Sequence, residues 1–182
     1  MKPTKPSRSG RSQASGGDRR PALFFVLKFL ACWLGFTMLL GFLPRIETQT
    51  VNATLWTLRP ILAVTPLRGG GNGADGIFVG SVPFQIVTEC TSLMPTLILW
   101  SAILAFPAPW RRRVLGLAVG AVGLWIYNLV RILALLGVMA LWPTVFEAVH
   151  VYVWQTTTLA VVAVSFILWL RSNAPVMAPR PA

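Results

Sequence analysis

Four stretches of the chain are apolar on every face, and polar or basic residues bound each of them. They run approximately over residues 21–43, 91–106, 114–141 and 145–170. A helix rises about 1.5 Å per residue, so roughly 20 residues cross the hydrocarbon core of a bilayer. The pattern therefore predicts an all-α integral membrane protein with about four transmembrane helices. The second is the shortest, and Ile86 and Val87 before it extend its apolar surface.

Between the first two runs the pattern changes. Val51, Leu55, Leu58 and Leu62 recur at helical spacing with Trp56 nearby, which predicts an amphipathic helix over residues 50–64 lying at the membrane interface. Pro60 works against it. The glycine-rich stretch at 69–76 reads as a flexible turn, because no strand-loop-helix pattern with Lys-Ser/Thr surrounds it. Residues 77–88 read as one or two short extended segments broken by Gly80 and Pro83. Together residues 44–90 form a small cap, with an amphipathic helix and short β segments, that leads into Glu89-Cys90. The segments at 1–20 and 172–182 have almost nothing to bury and are expected to be disordered tails flanking a membrane-embedded domain at 21–171.

Composition agrees with this pattern. Of 182 residues, 55% are hydrophobic and 12% charged, with a mean hydropathy of +0.67, which excludes a soluble domain of ordinary composition. The formal net charge of +11 would suit nucleic acid only if the basic residues formed a patch, and they do not. Lys2, Lys5, Arg8, Arg11, Arg19 and Arg20 precede the first run, Arg111, Arg112 and Arg113 separate the second from the third, and Arg171 and Arg180 follow the last. Placed by the positive-inside rule, both termini are cytoplasmic, and residues 44–90 and the Trp142-Pro143 turn face outward. The lipid bilayer, not nucleic acid, is the expected partner. The first run is too long for a typical signal core and lacks a small-x-small cleavage site before Pro44, so it reads as an uncleaved anchor.

Three polar residues then stand out. Arg131 interrupts the third run, although an arginine at the centre of a span costs about 2.5–3.5 kcal/mol on insertion scales. It falls about 26 Å from the start of that run, in the outer half, where its side chain can snorkel. His150, the single histidine, lies about 10 Å below the outer turn if the fourth run is helical. Cys90 falls where the cap enters the second run, with Pro95 in that helix's first turn, and a helix start favours a thiolate. Cys32 sits mid-run, about 16 Å deeper than the outer end of its helix, too far to form a disulfide with Cys90.

Each has a plain structural reading: a histidine bonded to a neighbour, an arginine paired with Glu147, a packed boundary cysteine. Their coincidence at one depth, from three helices, points instead to a site. One Cys and one His supply too few ligands for a metal, and a fixed cation beside a metal ion is repulsive; no cofactor is implied. A cation suits a thiolate or a developing oxyanion. Glu89 works against a neighbouring thiolate and stays outside the set. Gly116 and Gly120, with Gly123 beyond, read as close helix packing.

Cys90 at the start of one helix, Asn128-x-x-Arg131-Ile132 late in the next and His150 at the start of the last resemble the three signature blocks of the exosortase/archaeosortase family. Phe106-Pro107-Ala108-Pro109-Trp110-Arg111 resembles the exosortase H subgroup. The resemblance covers about residues 20–171. Cys90-Thr91-Ser92 departs from the family's usual Cys-Ser/Asn/Thr-Gly by lacking the glycine, which touches the local backbone geometry and fine specificity. The resemblance implies a membrane-embedded cysteine protease/transpeptidase in the bacterial inner membrane, its active site facing the periplasm. The implied substrates are membrane-anchored proteins that end in a short motif, a transmembrane helix and a basic tail. In that scheme Cys90 is the nucleophile, His150 the general acid/base, and Arg131 the stabiliser of the thiolate or oxyanion, with Asn128 supporting from the same helix face. A non-enzymatic membrane protein that binds or exports an envelope lipid or polysaccharide component, with Arg131 holding an anionic group, is the alternative.

Overall fold

The computed structural model describes residues 20–64, 76–79 and 82–177. The tail up to residue 19, nearly all of the glycine-rich turn and the last five residues lie outside the described residues. The helices are α1 (Arg20–Phe42), α2 (Pro44–Ala63), α3 (Leu93–Ala105), α4 (Trp110–Leu141), the single turn α5 (Phe146–Ala148) and α6 (Gln155–Met177). A 3-10 turn at Thr88–Cys90 leads into α3, another at Pro143–Val145 leads into α5, and a π-helical stretch at Val149–Trp154 joins α5 to α6. The helix at the C-terminal end thus continues past residue 171, where the sequence pattern predicts a disordered tail.

Three segments are long and apolar enough to cross a membrane: Arg20–Phe42, Trp110–Leu141 and Pro143–Asn173. The second apolar run is helical over 13 residues, about 20 Å, which is short of the requirement. Its location explains why it is apolar all round. α1, α4 and α6 all pack against α3, and Leu97, Leu99, Ser101, Ala102, Ile103 and Ala105 are buried, so most of its surface meets protein, while Met94 near its start stays exposed. By contrast α1 buries only Leu40 and exposes Leu23, Phe24, Leu27 and Leu34, as a lipid-facing anchor does.

At the basic end, Phe106 ends α3 in extended backbone and α4 begins four residues on. The Arg113 guanidinium donates to the Phe106 carbonyl at 2.9 Å, which ties this turn together. Basic residues in a first helical turn oppose the helix dipole. The three arginines there are therefore not explained by a helix-start preference; they stand at one end of a helix long and apolar enough to cross a membrane. Trp100 of α3 donates to the Leu117 carbonyl at 3.0 Å, and Trp169 of α6 donates to the Arg112 carbonyl at 3.1 Å. The glycines permit this closeness: a Cβ on Gly116 would collide with the Trp169 indole, and one on Gly120 would lie 2.6 Å from Leu99 Cδ2.

α2 begins at Pro44 rather than near residue 50. Proline at the first helical position costs no hydrogen bond, and Glu47 in the first turn suits the dipole. Pro60 lies on an exposed face three residues from the end, so the helix runs through it. The expected apolar stripe forms, with Thr54 added, but it does not lie on the bilayer. It packs with Ile86, Cys90, Ile132 and Leu136 into one buried cluster, while Trp56 on the other side is 78% exposed. Beyond it β1 (Gly76–Val79) pairs antiparallel with β2 (Val82–Gln85), with Phe78 opposite Pro83. Pro83 does not break the segment, because a two-stranded ribbon leaves each strand one open edge.

Candidate active site

α4 buries a stripe consisting of Leu124, Asn128, Arg131, Ile132, Leu135 and Leu136, spaced as one face of a helix, and exposes Val119, Val122, Ile126 and Val130. The arginine that interrupts the apolar run thus faces protein, not lipid, as intramembrane cations usually do. Arg131 is 8% exposed, and its Nε is buried without a hydrogen-bond partner. It lies ten residues from the Leu141 end of α4, about 15 Å along the axis.

Arg131 and His150 line one cavity of about 370 Å³ between α3, α4 and the final helix. Its polar wall is completed by Glu89, Gln155 and Thr158, and its apolar wall includes Met94, Pro95 and Ile98 at the start of α3. A cation, a carboxylate and an imidazole, mounted on three separate segments, therefore meet one space large enough for a small ligand or an extended side chain. His150 is held by Phe146, whose ring stacks on it at 5.6 Å between centroids and 22° between planes. Glu147 is exposed and lies outside the cavity wall, so the carboxylate nearest His150 in sequence is not its neighbour in the site. The histidine stands on the π-helical stretch, and π-turns inside helices occur frequently at functional sites.

Cys90 is placed differently from the sequence expectation. α3 starts at Leu93, and the cysteine sits three residues earlier in the 3-10 turn, its N–H donating to the Val87 carbonyl at 2.9 Å. It therefore lies two residues before Ser92, the cap of α3, and outside that helix's first turn. Its side chain is buried in the apolar cluster beneath α2 and is not part of the cavity wall, although its neighbour Glu89 is. Asn128 fixes it from behind: Nδ2 donates to the Cys90 carbonyl at 2.9 Å in a fully buried bond. Thr91 shapes the next step, its hydroxyl donating to the Thr88 carbonyl at 2.7 Å and accepting from the Leu93 N–H at 3.3 Å. Ser92 has φ −79° and ψ 3°, a conformation open to any L-residue, so this backbone has no need of glycine there.

The structure thus brings Arg131 and His150 together, links Asn128 to Cys90, and leaves the Cys90 side chain behind the wall. Both cysteines are free thiols. Sequence reasoning missed Gln155 and Thr158 on the wall and Tyr127 behind it, whose hydroxyl lies 3.2 Å from Thr158 Oγ1. The Thr156-Thr157-Thr158 run after Gln155 was a polar break in an apolar stretch, and that was the available signal. Among the described residues no group of three or more His, Cys, Asp or Glu is arranged to hold a metal ion. The chain matches no known family model, no characterised protein and no solved structure at a significant level.

Proposed function

We propose that this protein is a membrane-embedded cysteine peptidase/transpeptidase that removes a C-terminal sorting signal from membrane-anchored proteins at the periplasmic face of the bacterial inner membrane. The observation that carries the reading is the shared cavity of Arg131 and His150, walled by the residue next to Cys90 and backed by the Asn128 bond to the Cys90 carbonyl. The three short blocks that resemble exosortases supply the chemistry.

In this mechanism the substrate displaces the thiol from its apolar cluster toward the cavity. His150 takes the Cys90 Sγ proton, and the thiolate attacks the scissile carbonyl. The Arg131 guanidinium stabilises the oxyanion, for which its partnerless buried Nε is a ready donor. His150 then returns the proton to the leaving amine as the C–N bond breaks, leaving a thioester on Cys90. A surface acceptor or water attacks the thioester and restores the thiol. Both termini lie in the cytoplasm in this topology.

The test is processing in the native host of a tagged protein, encoded in the same genome, that ends in a short motif, an apolar helix and a basic tail. The wild-type chain should shorten it, and Cys90→Ser should leave it full length. Unchanged processing by Cys90→Ser refutes the reading. One observation favours the alternative: the cavity holds Arg131 without the thiol on its wall, as a binder or exporter of an anionic envelope component would need. For such a protein Cys90→Ser is neutral and Arg131→Met is not.

A further inference from the structure

A second cavity, of about 360 Å³, opens toward the other end of α4, away from Arg131. It is a groove between α4 and α6 that runs from Arg112 past Gly116 and Gly120 to Gly123. Eleven residues of helix make it about 16 Å long, close to the depth of one leaflet of a bilayer whose core is about 30 Å thick. A transmembrane helix needs about twice that length; an acyl chain does not. Gly116 and Gly120 are committed to the Trp169 and Leu99 contacts, but a Cβ on Gly123 would meet nothing within 4 Å. The floor is therefore open there, and Leu115, Val119 and Leu168 make the walls apolar.

The mouth of the groove is polar. Arg112, the middle of three arginines at this end, is exposed beside it. Asn173 forms part of the wall and is 1% exposed. Its Nδ2 donates to the Trp169 carbonyl at 2.6 Å, while its Oδ1 is buried without a partner. Such an acceptor seeks an N–H or O–H, and the adjacent cation seeks an anion. Both demands, on an apolar slot one leaflet deep, fit a single molecule.

We propose that this groove binds a glycerophospholipid, with one acyl chain along Gly123, its phosphate at Arg112 and a donor on its head group bonded to Asn173 Oδ1. The site is independent of the peptidase reading and of activity. The test is native mass spectrometry of the full chain purified in detergent, stripped of lipid, and titrated separately with phosphatidylglycerol, phosphatidylethanolamine, phosphatidylcholine and glycerol 3-phosphate. The first two should bind one per chain. Phosphatidylcholine, with no head-group donor, should bind more weakly, and glycerol 3-phosphate, with no chain, should not bind.

Gly123→Leu places a side chain in open space, so the fold survives, and it should weaken binding by more than about tenfold by filling the slot. Arg112→Gln, at an exposed position, should weaken it by about fivefold. Wild-type affinity in Gly123→Leu overturns the proposal, as does phosphatidylcholine bound as tightly as phosphatidylglycerol. Capture of glycerol 3-phosphate alone would make this a phosphate site without an acyl chain. A change of oligomeric state in Gly123→Leu would assign the groove to a second copy of the chain.

Discussion

Replacing Asn128 by alanine should expose Cys90. The Asn128 side chain is 5% exposed, and its bond to the Cys90 carbonyl is buried at both ends. Alanine leaves that carbonyl without a donor where water does not reach, and a buried unsatisfied polar group costs about 1–3 kcal/mol. The penalty falls on the closed form of the Thr88–Cys90 turn and vanishes when the turn opens to solvent. At about 2 kcal/mol, the equilibrium for local opening shifts by roughly thirtyfold. Maleimide labelling reads this directly, in a Cys32→Ala background because Cys32 is half-buried and would also react. Where opening and closing are fast relative to labelling, the observed rate follows the population of the open form. Asn128→Ala should thus raise the Cys90 labelling rate by roughly thirtyfold with little change in the rate of a fully unfolded control. Asn128→Leu, which has a similar volume and no donor, should do the same. An unchanged rate in both variants, or wild-type labelling as fast as in the unfolded chain, would refute the idea that this bond holds the cysteine turn shut.

Leu58→Ala should lower the thermal midpoint and also speed Cys90 labelling. Leu58 is fully buried in the cluster that contains the thiol, and such truncations cost about 2–5 kcal/mol. Gly116→Ala should destabilise by about 1–3 kcal/mol through the collision with Trp169, read as a lower unfolding temperature in detergent. Arg131→Met should leave the unfolding temperature unchanged or raise it, since it removes a buried cation whose Nε has no acceptor. The same variant should abolish the processing that the peptidase reading predicts, and a large loss of stability instead would mean that the arginine is structural.

Which parts were legible in the sequence follows from what each signal measures. Hydrophobic runs report burial from water, and they placed α1, α4 and the final helix to within a few residues. They do not distinguish lipid from protein as the apolar surroundings, so they could not separate the long apolar helices from α3, which is helical over 13 residues and packs against three others. The same ambiguity misplaced α2, whose 3.6-residue stripe was read correctly but assigned to the bilayer instead of to Ile132 and Leu136. The depth count that set Arg131 beside His150 needed only helix rise, and the two residues line one cavity. Cys90 depended on where a helix starts, the least determined boundary in any sequence, and on which way a turn faces. α3 starts at Leu93, two residues into the apolar run, and the Cys90 side chain lies in the core cluster with its carbonyl bonded by Asn128.

The π-helical stretch at Val149–Trp154 separates two angular phases within one continuous rod. Below it, α6 is keyed in rotation by Trp169 on Gly116 and by Thr158 against Tyr127. At its start, His150 is held by a separate contact, the stack with Phe146. A π-turn accommodates one more residue than the α-ladder would. Deleting one residue within it would join the two phases and rotate His150 by about 100° relative to the Gln155–Thr158 wall. The histidine's aim is thus set by the length of this stretch as well as by the packing of the helix that follows it.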